Sequence, residues 1–437
     1  MSSRISRPVT QLSRRDSLRV GTLGLLGWSC SDLFRAQSAM AEQAGRPPAT
    51  ADSVLFVNLA GGPSHLDTLD MKPEAPVDTR GEFTPIGTKI PGLLACEHLP
   101  KLAGMIDRFT LLRGISHSTG DHPQGQAYIA TGNRPTPALR HPSYGSIVTK
   151  ELPRDPELPS YVAIPQTEWG AGFMGDAYAP FKTNATPSPG KPFSVRGISL
   201  PDGLTLDKVE RRQQLLQKVD RAFREADTNS TLLEALDQFS EQAYRMITST
   251  KTRDAFDVSK ESQSVQSRFG ADELAQSLLL AVRLVQQGVR FVTVTNQGWD
   301  THLDNFDGHR KLMGPLDAAL PAMLETLSEK GLLERTLVVV MGEFGRTPKI
   351  NENAGRDHFP RANWCLLAGG GVRAGQLIGA TNKDGTGPDD ATDIKPDDMG
   401  ATILHALGID HHLEYFTRTG RPVSLVPYGR VLHQVFG

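Results

Sequence analysis

Two apolar runs in the C-terminal half each end in residues able to bind a metal. Arg290-Phe291-Val292-Thr293-Val294-Thr295 leads into Gly298-Trp299-Asp300-Thr301-His302-Leu303-Asp304. Leu337-Val338-Val339-Val340-Met341 leads into Gly342-Glu343-Phe344-Gly345, with Asp357-His358 shortly after. Uninterrupted apolar runs of this length read as buried strands, and in an open α/β sheet ligands bind outside the carboxyl ends of the strands. Asp300, His302, Asp304, Glu343, Asp357 and His358 are therefore expected to converge on one crevice. Imidazole with carboxylate is the donor set of zinc and related divalent ions, and this many acids in one crevice need a cation to offset their repulsion. Any one of the six, taken singly, reads equally well as a loop residue or a helix cap. Two separate strands delivering the same chemistry to the same edge favour a metal site.

The elements that must position these groups alternate along the chain. Ser53–Leu59 is an apolar strand ending in Ala60-Gly61-Gly62-Pro63-Ser64-His65-Leu66-Asp67, which adds His65 and Asp67 to the polar strand ends. A helical stretch at 99–105 leads to a strand at 109–113 and then to a polar loop, 115–126, that carries His117 and His122. Residues 133–203 are rich in Pro and Gly with few periodic runs, which predicts a surface excursion walling the pocket. The stretch 204–250 turns charged and helical, and a clearer helix, 272–287, stops at Gly288. Another at about 310–330 stops at Gly331, Trp364–Ala368 reads as a strand, and 396–407 as a last helix with Asp397 or Asp398 favouring its N-terminus. Gly369-Gly370-Gly371 reads as a tight turn, since it opens no helix that would cradle a dinucleotide. Such alternation predicts an α/β fold with a mostly parallel sheet covered on both faces.

The 437 residues suit one large α/β domain or two smaller ones. A formal net charge of −2, with basic residues spread along the chain, gives no pull toward nucleic acid. At the N-terminus, Ser13-Arg14-Arg15-Asp16-Ser17-Leu18-Arg19 has the twin-arginine pattern, followed by a short apolar run, Val20 to Trp28, and by Ala39-Met40-Ala41 as a small-x-small cleavage site. The apolar run is too short to span a bilayer, so no stable membrane insertion is expected. The organisation that follows is a signal peptide at 1–41, a linker at 42–52 and one domain at 53–437. Export to the periplasm or beyond would remove Cys30 and leave Cys96 and Cys365, whose spacing suggests neither a metal nor a redox motif.

Three segments together resemble a large family of exported bacterial proteins labelled domain of unknown function 1501: Gly61–Asp67, Gly298–His302, and Gly342–Pro348 with the later Gly355-Arg356-Asp357-His358. Weaker patterns at Ala127–Gly132 and Thr402–Ile409 place that family within the alkaline phosphatase and sulfatase superfamily. The resemblance implies a three-layer α/β/α fold with a mostly parallel central sheet, alkaline phosphatase-like. It also implies a metal-dependent hydrolase of phosphate or sulfate esters carried on a small molecule or a polysaccharide.

Carried over by residue, Asp300 matches the Asp of the superfamily's Asp-x-x-x-His motif, whose His falls on Asp304, with His302 two residues early. Glu343 matches the Asp of an Asp-His pair whose His falls on Phe344. His358 matches the later metal-binding His, and His65 and Asp67 stand near the position of the first-strand Asp. The resemblance thus implies a divalent ion held by Asp300, His302, Glu343 and His358, with Asp304, Asp357, His65 and Asp67 as further ligands or as partners behind them. The mixed donor set favours zinc, with manganese, iron or calcium as alternatives. His122 falls where the superfamily has its nucleophile, so attack by activated water or by a histidine is expected. His122 or His117 would face the ester as ligand or general acid, and Arg346 or Arg113 would clamp the anion. The rival expectation is a non-catalytic exported binding or assembly protein, for which Phe344 and the missing nucleophile argue. Replacing Arg14 and Arg15 with lysine is expected to leave an uncleaved precursor in the cytoplasm, read by cell fractionation and immunoblotting; unchanged export would refute the targeting assignment.

Overall fold

All seven residues of Ser53–Leu59 are buried, and they pair in parallel with Phe291–Asn296 on one side and Thr336–Met341 on the other. In this register Leu59 lies opposite Asn296 and Asn58 opposite Met341, so the three loops that follow begin side by side at one edge of the sheet. This is a computed structural model, and it describes residues 46–437 except 154, 190–192, 194, 196–197, 199–206, 209–210, 212–243 and 390. The expected signal peptide, the start of the linker and most of the charged stretch 204–250 lie outside the described residues. The described fold belongs to one compact unit, Pro48–Gly437.

Among the described residues the sheet has eight strands, in the spatial order Gln376–Ile378, Thr110–Arg113, Trp364–Ala368, Thr336–Met341, Ser53–Leu59, Phe291–Asn296, Tyr161–Ile164, Phe181–Lys182. Only Trp364–Ala368 runs against its neighbours; every other pairing is parallel. Side chains alternate between the two faces as the pleat requires. Leu55, Val57 and Leu59 join a core with Leu278 and Leu279 of the helix Glu273–Gln287 and Leu320 and Met323 of the helix Asn305–Glu329. Val54 and Phe56 join a second core with Ile147 of the helix Tyr144–Glu151 and Ile403 of the helix Pro396–Ala406. Each such buried side chain contributes about 1.5–3 kcal/mol, so two helical layers are needed to cover a sheet this apolar. The architecture is three-layer α/β/α with a mostly parallel sheet.

Two expectations are corrected. The stretch 133–203 is not only a surface excursion, because it contains the buried helix Tyr144–Glu151 and the fully buried strand Tyr161–Ile164, which pairs with Phe291–Asn296. The strand is only four residues long, and Gly145, Ser146 and Thr149 fill helix positions where a periodic reading looks for apolar residues. The polar loop ends earlier than expected, since His122–Thr131 is a helix. Asp121 caps it by accepting from the Gln124 N–H at 3.0 Å, Pro123 lies in its first turn, and Gly132 closes it in the left-handed region.

The loop after the first strand is pinned by a buried ion pair. Asp67 and Arg356 have no side-chain exposure, and the guanidinium donates to both carboxylate oxygens at 2.7 and 3.0 Å. Asn305 donates to the same carboxylate at 2.9 Å. Asp67 is thereby spent on structure and withdrawn from the expected ligand set. Removing one partner of a buried pair strands the other charge, so Asp67→Ala is expected to lower the unfolding free energy by about 3–5 kcal/mol, read in urea titrations.

Candidate metal centre

Asp300 follows the Phe291–Asn296 strand and is held from behind. Arg346, with no exposed side chain, donates to Asp300 Oδ1 at 2.7 Å and to the carbonyls of Gly61, Gly62 and Arg356. Gly61 permits this approach: its φ is +109°, and a Cβ there would collide with the Asp300 backbone nitrogen. Burial pushes the Asp300 carboxyl up, but the Arg346 guanidinium outweighs it and holds the group at about 2. Asp300 is therefore an anion at neutral pH.

Three imidazoles converge on this carboxylate. His122, the first residue of its helix, brings Nε2 to 3.1 Å from Asp300 Oδ2, in an arrangement that is not aligned as a hydrogen bond. His358, from the short ribbon pairing Gly345–Arg346 with His358–Phe359, brings Nε2 to 3.2 Å from Asp300 Oδ1. His302 brings Nε2 to 3.2 Å from the same oxygen and to 2.9 Å from His358 Nε2.

Each imidazole is bonded through its other nitrogen to an oxygen that only accepts. His122 Nδ1 meets Glu343 Oε1 at 2.6 Å, His302 Nδ1 meets Asp357 Oδ1 at 2.7 Å, and His358 Nδ1 meets the Gly120 carbonyl at 2.8 Å. These acceptors place the proton on Nδ1 in every neutral ring, which turns the Nε2 lone pair toward Asp300. Lone pairs from two rings 2.9 Å apart repel unless a proton or a cation lies between them. Tetrahedral zinc with bonds of about 2.0–2.1 Å sets its donors roughly 3.3 Å apart, close to the separations here. The donor atoms of His122, Asp300 and His358 all lie within 4.8 Å of one another, and His302 adds a further donor beside two of them. The residues present fit a divalent ion.

Glu343 and Asp357 stand behind the imidazoles. Glu343 is fully buried, and its carboxylate accepts from the Gly61 N–H at 2.9 and 3.2 Å as well as from His122. Its hydrogen bond raises the pKa of His122, whereas burial lowers that of His358. Phe344 is fully buried, with its ring centroid 5.2 Å from that of His122 and 4.8 Å from that of His358. It packs against both rings.

The other expected site residues lie elsewhere. His65 is buried with Nε2 at 3.0 Å from the Gly385 carbonyl, and it is outside the convergent set. Asp304 is exposed, in the left-handed conformation ahead of the helix Asn305–Glu329. His117 donates from Nε2 to the Glu343 carbonyl at 2.7 Å and accepts from the Thr119 N–H at 3.1 Å, so neither nitrogen is left for an ester. Burial lowers its pKa and keeps it neutral. Arg113 is paired with the buried Asp70 at 2.9 Å. Arg346 is enclosed behind Asp300 and positions that carboxylate instead of clamping an anion. Sequence reasoning missed the Gly120 carbonyl and the Gly61 N–H, because a backbone group leaves no mark in a sequence. It also missed that His122 opens a helix, although Asp121 before it and Pro123 after it were the signal.

Full-length protein purified without chelator is expected to carry close to one divalent ion per chain by elemental analysis. His122→Ala and His358→Ala should each reduce that content at least about tenfold, while Asp304→Ala should leave it unchanged.

Among curated proteins, none matches this sequence. Several solved structures align over most of the chain at low identity. The lipoteichoic acid synthase LtaP from Listeria monocytogenes shares 10% identity over 87% of this chain and 76% of its own, with a TM-score of 0.38. The PsFucS1 sulfatase from Pseudoalteromonas sp. shares 15% over 86% and 70%, with a TM-score of 0.39. A TAB5 alkaline phosphatase mutant with Mg bound shares 11% over 83% and 99%, with a TM-score of 0.37. Likeness at this level leaves the chemistry to be argued from the residues themselves. The family model described as "Protein of unknown function (DUF1501)" matches residues 51–436, and the chain belongs to that family.

Proposed function

We propose that this chain is an exported, metal-dependent hydrolase of phosphate or sulfate esters, with zinc the first-choice ion and manganese, iron and calcium the alternatives. The observation that carries the reading is the set of three imidazoles, each anchored at Nδ1 and each presenting Nε2 to one carboxylate. A divalent ion bound there would polarise the ester and lower the pKa of the attacking group.

The chain's own residues prepare the site for that chemistry. Arg346 fixes Asp300 in position and keeps it charged. Glu343 and Asp357 set the tautomer and the orientation of His122 and His302, which makes these rings better donors. Phe344 closes the underside against water. Among the described residues, no serine or threonine hydroxyl is hydrogen-bonded to the imidazoles or carboxylates of the cluster. His122 occupies the helix start. This arrangement supports attack by activated water or by a histidine, with no covalent Ser or Thr intermediate. A non-catalytic binding protein is the second reading, favoured by one observation: Arg113 and Arg346 are both spent on internal carboxylates, so neither holds the ester.

Turnover of p-nitrophenyl phosphate and p-nitrophenyl sulfate by zinc-loaded protein tests the proposal. His122→Ala is expected to lower kcat/KM at least about a thousandfold, on the scale of a principal catalytic group, while Ser116→Ala, Ser118→Ala and Thr119→Ala should stay within a few-fold of wild type. Absence of turnover by the loaded wild type would favour the binding protein, and abolition by Ser118→Ala with His122→Ala spared would reverse the assignment.

A further inference from the structure

A crevice of about 280 Å³ opens beside the convergent donors, with His122, Asp300 and Glu343 in its wall. Gln126 stands in the same wall, four residues after His122 on the helix His122–Thr131. Residues four apart on a helix share a face, with about 5–6 Å between their Cβ atoms, so the Gln126 side chain projects beside the His122 imidazole.

The Gln126 amide is held in one orientation. Asn58, near the carboxyl end of the first strand and only 7% exposed, donates from Nδ2 to Gln126 Oε1 at 2.7 Å. That bond occupies the carbonyl and leaves both N–H groups of Nε2 for another partner. Nε2 donates to nothing among the described residues, yet it is not one of the partnerless atoms sealed in the interior. The half-buried side chain therefore presents Nε2 to solvent. Turned over, the amide would point its carbonyl into a crevice edged by the carboxylates of Asp300, Glu343 and Glu168, where an acceptor finds no donor.

An ester group entering this crevice needs such a donor. Its non-bridging oxygens lose water on entry, and an anionic oxygen left without a partner is costly. Arg346 and Arg113 are spent on Asp300 and Asp70, and among the described residues no lysine or arginine lines the crevice. A guanidinium in this wall would be captured by one of the three carboxylates, as Arg346 is by Asp300. A neutral amide escapes that capture. Because Asn58 fixes it in advance, it also donates without reorganising.

We infer that Gln126 Nε2 holds a non-bridging oxygen of the ester, which makes Gln126 a catalytic residue of the centre. The inference rests on the hydrolase reading and deepens it, giving the anion a holder that neither arginine supplies.

Anion affinity and turnover are measured separately to test it. Zinc-loaded full-length protein is titrated calorimetrically with inorganic phosphate and with sulfate, and assayed on p-nitrophenyl phosphate and p-nitrophenyl sulfate. Gln126→Met keeps the side-chain length and removes the donor, while Gln126→Glu keeps an acceptor for Asn58 and turns an oxygen outward. Both should weaken anion binding and lower kcat/KM at least about tenfold, with zinc content unchanged. Gln166→Met, which removes an exposed amide from the same wall, should stay within a few-fold of wild type on both measures. Anion affinity kept in Gln126→Met, or lost equally in Gln166→Met, would overturn the assignment. Unchanged kcat/KM in both Gln126 variants would overturn it and leave the hydrolase reading standing. Anion binding that depends on Gln126, in protein that turns over no ester, would uphold the anion site and overturn the hydrolase reading. Wild type that binds neither anion and cleaves neither ester would overturn both.

Discussion

The candidate centre depends on one buried guanidinium. Arg346 has no exposed side chain, and its donors go to Asp300 and to the carbonyls of Gly61, Gly62 and Arg356. Those partners come from the loops after two neighbouring strands and from the segment that leads to His358. A charge this deep is tolerated only when it is fully paired, and the pairing welds the loops into one rigid block. Asp300 inherits its position and its ionisation from that block. The imidazoles inherit theirs from Asp300 and from the oxygens behind them.

A second buried pair, Arg356 with Asp67, continues the block toward the helix Asn305–Glu329 through Asn305. Arg356 also donates to the carbonyls of Thr79, Thr347 and Pro348. The two arginines therefore divide the work. Arg356 joins backbone segments far from the donors, and Arg346 carries the constraint to the carboxylate on which they converge. Both are scaffold for the site, which is why neither presents its charge to the crevice.

The sheet was legible because its strands are uninterrupted apolar runs, and the edge that gathers the site follows from parallel pairing. Asp300, His302, His358, Glu343 and Asp357 could be placed there from Phe291–Asn296 and Thr336–Met341 alone. Their division into donors and supports could not. Glu343 and Asp300 both end up beside His122, but which faces the ring's Nδ1 and which its Nε2 is settled by a hydrogen bond across 221 residues of sequence. Arg346 and Arg113 read equally well as anion clamps, since the carboxylates that claim them, Asp300 and Asp70, are local only in space. Tyr161–Ile164 was missed for a different reason: four residues are too few to show a period, and only pairing with Phe291–Asn296 makes them a strand.

Phe344 follows Glu343 directly and stands among the imidazoles with a side chain that cannot bind a metal. An imidazole at that position would have to reach the donors from the buried side of the sheet edge. The phenyl ring packs under His122 and His358 instead, while His302 approaches from the solvent side with Asp357 behind it. His302 comes from another strand end and is the more open of the two rings, 42% exposed against 21% for His358. The charge balance follows as well. Three carboxylates stand around the imidazoles, Asp300 in front, Glu343 behind His122 and Asp357 behind His302, and the Arg346 guanidinium pairs with the first of them.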